Sequence, residues 1–106
     1  MKVGKFYQSK KYAWTLYPSY DLAFGAPTLS TRHSNDVALI AEIRYWSMRL
    51  ACSKLTVIRT KSMFMALEVH ETKWAKHMVK VLTTEGEVGW IRAGKWELLD
   101  IEEVNQ

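Results

Sequence analysis

The chain has 106 residues, 48% of them hydrophobic and 25% charged, and a formal net charge of +4. This length fits one domain with one core, and this balance of residues excludes a disordered chain. The lone cysteine, Cys52, excludes an internal disulfide, and no apolar run reaches the ~18 residues of a membrane span, so the expectation is a soluble cytoplasmic protein.

Met1 to Lys5 lead into no apolar stretch of signal-peptide length. The first periodic segment is 12–17, where Tyr12, Trp14 and Leu16 alternate with Ala13, Thr15 and Tyr17, the period of a strand. Pro18 and Ser19 break it. Residues 24–35 carry turn-formers and no period, which predicts a loop. The period then changes. Leu39, Ile43, Trp46 and Leu50 fall on one narrow arc at helical spacing, and Ser34, Asn35 or Asp36 can cap its start, predicting a helix over about 36–51.

From residue 54 onward the chain predicts strands. Leu55, Val57 and Arg59 alternate with Thr56, Ile58 and Thr60, a β-compatible stretch follows over 62–71, and Val79, Val81 and Thr83 alternate with Met78, Lys80 and Leu82. Glu85-Gly86-Glu87 predicts a tight hairpin, because glycine tolerates the positive φ that such a turn needs. The segments 87–93 and 96–100 complete four or five short strands, the pattern of a small barrel or sandwich. Residues 101–106, with Glu102 and Glu103, are predicted to fray.

Gly89-Trp90-Ile91, followed by Lys95-Trp96-Glu97-Leu98-Leu99, resembles the end of an SH3 domain, where a Gly-aromatic-Ile strand passes through a 3₁₀ turn into a last strand. Upstream, 71–91 resembles the segment from that family's central Trp through its distal hairpin, with Trp74 in the place of the Trp. Thr15 to Asp21 resembles the family's Ala-Leu-Tyr-Asp-Tyr strand, with Tyr17 and Tyr20 near the two tyrosines. The resemblance covers 61–100 and 12–25. It is closer to bacterial SH3-like domains and small phage-encoded SH3-like proteins, including some from phages of cyanobacteria, than to the eukaryotic signalling type. It implies a mainly β fold: one small SH3-like barrel over 1–106, with a helix-containing insertion over 28–54 in the first long loop.

The family's Pro-rich peptide groove is only half present. Arg92 stands where a Pro follows the Gly-aromatic-Ile strand, Lys95 or Trp96 where a groove Tyr would stand, and Asp21 alone represents the acidic first loop. Recognition of Pro-rich peptides is therefore not carried over.

Other chemistries find little support. His33, His70 and His77 form no i, i+4 pair, and one cysteine supplies no cluster, so no metal site is expected. His33, Ser34 and Asp36 are better read as a helix cap than as a nucleophile and base, and Cys52 as a small buried side chain. No glycine-rich phosphate loop appears, and no enzyme activity or cofactor is expected.

Three functional readings remain. The first is a non-enzymatic module that docks onto a protein partner through exposed aromatics. Tyr17, Tyr20, Trp74 and Trp90 would be its anchors, with Arg92 and Lys95 steering an acidic partner. The second is a nucleic-acid-binding barrel in which bases stack on Trp74, Trp90 or Trp96 beside Lys76, Arg92 and Lys95. The third is a structural subunit of a larger assembly, such as a virion, using the same patch as a subunit contact.

Overall fold

The computed structural model describes residues 1–25, 32–33, 55–73, 76–95 and 97–105. The predicted helix over 36–51 and the residues Trp74 and Trp96 lie outside them. Of the predicted insertion over 28–54, only Arg32–His33 is described, as a short strand and not the expected loop.

The described chain is mainly β. A five-stranded antiparallel sheet is built from β1 (Phe6–Ser9), β5 (Met63–Glu71), β6 (Lys76–Thr83), β7 (Val88–Gly94) and β8 (Ile101–Glu103), in the order β7-β6-β5-β1-β8. A three-stranded sheet holds β2 (Ala13–Leu16) between β3 (Arg32–His33) and β4 (Thr56–Ile58). The two sheets meet where Tyr17 and Trp90 exchange backbone hydrogen bonds of 2.8 and 2.7 Å. The expected closed barrel is not seen among the described strands: past β4 and past β8 no pairing joins the two ends.

Gly89 explains how β2 comes so close to β7. A Cβ there would lie 2.7 Å from Leu16 Cγ and 2.8 Å from the Tyr17 carbonyl oxygen, so only hydrogen fits. The β6–β7 hairpin turns as expected at Gly86, whose φ is +83°, with the Thr83 amide donating to the Glu87 carbonyl at 2.8 Å.

The main core lies between the sheets. Trp14, Leu16 and Ile58 from the small sheet meet Tyr7, Phe64, Ala66, Val79, Val81, Ile91 and Ala93 from the large one. Ala13–Leu16 is the strand that the alternation of 12–17 predicts, and Ala13 to Tyr17 are all buried. Trp14 and Leu16 fill the core, while Ala13 and Tyr17 on the other face pack with Ala23, Leu55 and Met78. The cover on that second face is a short helix, α1 (Tyr20–Gly25), in a stretch where the sequence predicts no helix. Ser19 caps it by accepting a hydrogen bond from the Leu22 amide at 3.2 Å.

The chain end is not frayed as predicted. After a 3₁₀ turn (Glu97–Asp100), β8 pairs with β1 in the register Tyr7 to Glu103 and Ser9 to Ile101, and Ile101 packs against the core. Asp100 anchors this end. Its carboxylate, buried with the residue 5% exposed, accepts bonds from the Lys11 amide (2.8 Å), the Tyr12 amide (3.3 Å) and Trp14 Nε1 (3.0 Å). Its carbonyl accepts from the Lys10 amide at 2.7 Å. One residue thus fixes the β1–β2 turn, the core indole and the approach of β8.

Candidate functional site: an aromatic cluster under α1

The outer face of the large sheet, opposite the core, carries the site. Cross-strand neighbours share a face, so the register defines two rows: Glu68, Lys80 and Trp90 in one, His70, Met78 and Arg92 in the next. An irregularity between Ala66 and Glu68 brings two of these outward. Phe64 and Ala66 point into the core, and strict alternation would send Glu68 and His70 after them. The bulge shifts the phase by one residue, so Val69 packs on the core while Glu68 and His70 face out.

α1 lies across this face. Tyr20 and Phe24, four residues apart on one side of the helix, stack with ring centroids 6.0 Å apart and planes 8° from parallel. Tyr20 also meets Trp90 edge-on at 5.1 Å and 89°, and His70 edge-on at 6.0 Å and 83°. His70 and Trp90 lie 5.7 Å apart. Edge-on and offset contacts set a positive ring edge on a negative ring face, worth about 0.5–1.5 kcal/mol per pair beyond area burial. The four rings form one contiguous patch over buried Met78. Tyr20, Phe24 and Trp90 are half-buried, and His70 is exposed.

The charges beside the rings are paired. The Glu68 carboxylate lies 3.2 Å from His70 Nε2 and 3.4 Å from Lys80 Nζ. The hydrogen bond from His70 is the largest influence holding the Glu68 carboxyl below its ordinary value of 4.5, with partial desolvation acting against it and Lys80 helping. Arg92 donates to the Ala23 carbonyl at 3.3 Å, which ties α1 to β7.

The predicted site residues therefore separate. Tyr20 and Trp90 come together, and Arg92 lies on the same face. Tyr17 is 0% exposed and belongs to the interior beneath α1, so it is corrected from contact anchor to core residue. It pairs with Trp90 across the sheet junction, and the helix that follows it folds back over its ring. Lys95 is exposed in the turn after β7. Trp74 lies outside the described residues. Phe24 and His70 join the patch without having been among the predicted site residues. The spacing of Tyr20 and Phe24 was a readable signal for the first, whereas His70 depends on a bulge and a strand register.

The patch offers ring faces, ring edges and a compensated ion pair, which suits contact more than bond-making. Among the described residues, no group of three or more His, Cys, Asp or Glu could hold a metal ion, and no helix is long and apolar enough to cross a membrane. In comparisons with known proteins, no family model, no curated sequence and no solved structure matches the chain.

Proposed function

We propose that the chain is a non-enzymatic SH3-like interaction module that binds another protein through the patch of Tyr20, Phe24, His70 and Trp90. The observation that carries the reading is the joining of four rings from three separate elements on one partly exposed face. Such rings supply large contact area at small entropic cost, and Trp and Tyr dominate binding energy where they are desolvated by a partner. Arg92 at the edge favours an acidic partner. The SH3-like assignment draws on the path from Gly89-Trp90-Ile91 through a 3₁₀ turn into a last strand.

The two other readings predict different results. Nucleic-acid binding is weakened by Glu68, whose carboxylate takes up Lys80, the cross-strand partner of Trp90. It predicts affinity for a fluorescent single strand that falls with salt, because released counterions drive such binding. A subunit of a homotypic assembly predicts association that rises with protein concentration. The deciding experiment is affinity purification from the cells that make the protein, with the wild type and a His70→Ala, Tyr20→Ala double variant as baits, each checked by circular dichroism. A partner held by the wild type and lost by a folded variant supports the proposal. Equal recovery by both baits refutes this surface.

A further inference from the structure

A second surface lies along β4, facing the β6–β7 hairpin. Between β4 and the tip of the β6–β7 hairpin runs a groove of about 390 Å³. Leu55, Val57, Ile58 and Met63 supply its apolar lining, and Glu85 and Glu87 stand beside it on the hairpin. β4 has β2 on one side only among the described residues, and alternate backbone groups of such an edge strand face outward.

The charges indicate what fits. Glu85 and Glu87 are both exposed, and among the described residues neither has a cation within ion-pair distance, on a chain whose net charge is +4. Glu87 Oε2 accepts from Thr56 Oγ1 at 3.0 Å, which places that carboxylate at the start of β4. Among the described residues, Glu85 accepts only from its neighbour Thr84, at 3.4 Å. Arg59 lines the groove three residues beyond Thr56, roughly 10 Å along an extended strand. The groove thus has an apolar middle, an acidic end and a basic end.

We infer that this groove accepts an extended segment of a partner polypeptide lying along β4, with apolar side chains turned inward and a Lys or Arg set against Glu85 and Glu87. Edge-strand backbone groups give such a segment affinity, and the alternating side chains give it specificity. The carboxylates select against an acidic segment, since an unpaired like charge there is repelled. None of the four rings lines the groove, although Leu55 and Val57 also pack in the cluster those rings cover.

The probe is a fluorescein-labelled, end-capped heptapeptide of alternating Lys and Val, titrated by anisotropy and mapped by amide chemical-shift changes. The expected dissociation constant is about 10 μM to 1 mM, the range of weak strand addition. Shift changes are expected at Thr56 to Arg59 and Glu85 to Glu87. An E85Q/E87Q variant, which keeps an acceptor for Thr56 Oγ1, should weaken binding at least tenfold, and a Glu-Val peptide should bind at least tenfold more weakly. Shifts confined to other strands, equal binding of the Glu-Val peptide, or an unaffected E85Q/E87Q variant would each overturn the inference. So would self-association that the same variant abolishes, because the groove would then be filled by a second copy.

Discussion

Replacing Asp100 tests whether one buried carboxylate holds the two sheets in register. Asp100→Ala removes the acceptor for Lys11 N, Tyr12 N and Trp14 Nε1 together. Two of those bonds are short, and a hydrogen bond to a charged group contributes about 1.5–3 kcal/mol. The third, at 3.3 Å, is weaker. The bonds share one carboxylate, so they do not add fully, and the expected loss is about 3–5 kcal/mol. Water can reach Lys11, an exposed residue, but the indole N–H of Trp14, a residue 1% exposed, would be left in an apolar core. Asp100→Asn keeps the shape and one acceptor oxygen, so it should lose only about 2 kcal/mol. With a urea m-value near 1.3 kcal/mol/M, that lowers the unfolding midpoint by about 1.5 M. Coupling is the sharper readout: in a Trp14→Phe background, Asp100→Asn should cost about 1 kcal/mol less than in the wild type. An unchanged midpoint for the Asn variant, or perfectly additive effects with Trp14→Phe, would refute the clamp.

Three further outcomes follow from the packing and the charges. Gly89→Ala should lower stability by about 1–3 kcal/mol, because the Tyr17 carbonyl oxygen is backbone and cannot swing aside; a wild-type melting temperature would show that β2 can retreat. Truncation before Ile101 should destabilise the protein by removing the strand paired with β1, whereas a frayed tail would leave the urea midpoint unchanged. The Glu68 carboxyl, depressed in the folded chain, contributes stability that is present above its ordinary value of 4.5 and is lost as pH falls through its lower folded value. Carboxyl ¹³C titration should place its midpoint below 4.5, and His70→Ala should move it back toward 4.5; an identical midpoint in the two proteins would remove His70 as the cause.

Residues whose signals are local were legible in the sequence. Gly86 marks its hairpin because only the backbone conformation of that turn demands it. β5, β6 and β7 fall on the predicted stretches because their residues suit strands and are bounded by turns. What the sequence hid is set at a distance. Phe6 to Ser9 is too short to show a period, and β8 has one partly buried residue followed by two exposed acids, so each becomes a strand only because the other lies beside it. α1, at six residues, is too short to display an amphipathic arc, and its Ser19 cap looks like any turn serine.

Tyr17 and His70 show why the site was harder to read than the fold. Both lie on the outer face of the strand arrangement, so alternation alone cannot tell buried from exposed there. Tyr17 is buried because the chain turns at Pro18 and lays Ala23 over it, a consequence of the following eight residues rather than of its own strand. His70 is exposed because one extra residue, Leu67, reverses the phase of β5, and nothing in the run from Met63 to Glu71 signals where that slip occurs. Ala66 pairs with Val81 and Glu68 with the next residue of β6, Lys80, so Leu67 has no partner of its own. An unbroken register would instead set Leu67 across from Lys80 and Glu68 across from Val79, which is 0% exposed in the core. Val69 would then turn outward, away from the core it now packs against. A carboxylate buried at that place without a partner costs several kcal/mol, a large part of the ~5–15 kcal/mol that holds a domain folded. The cost of the alternative pairing fixes the bulge where it is, and the bulge is what makes an uninterrupted core compatible with an outward-facing histidine among the rings.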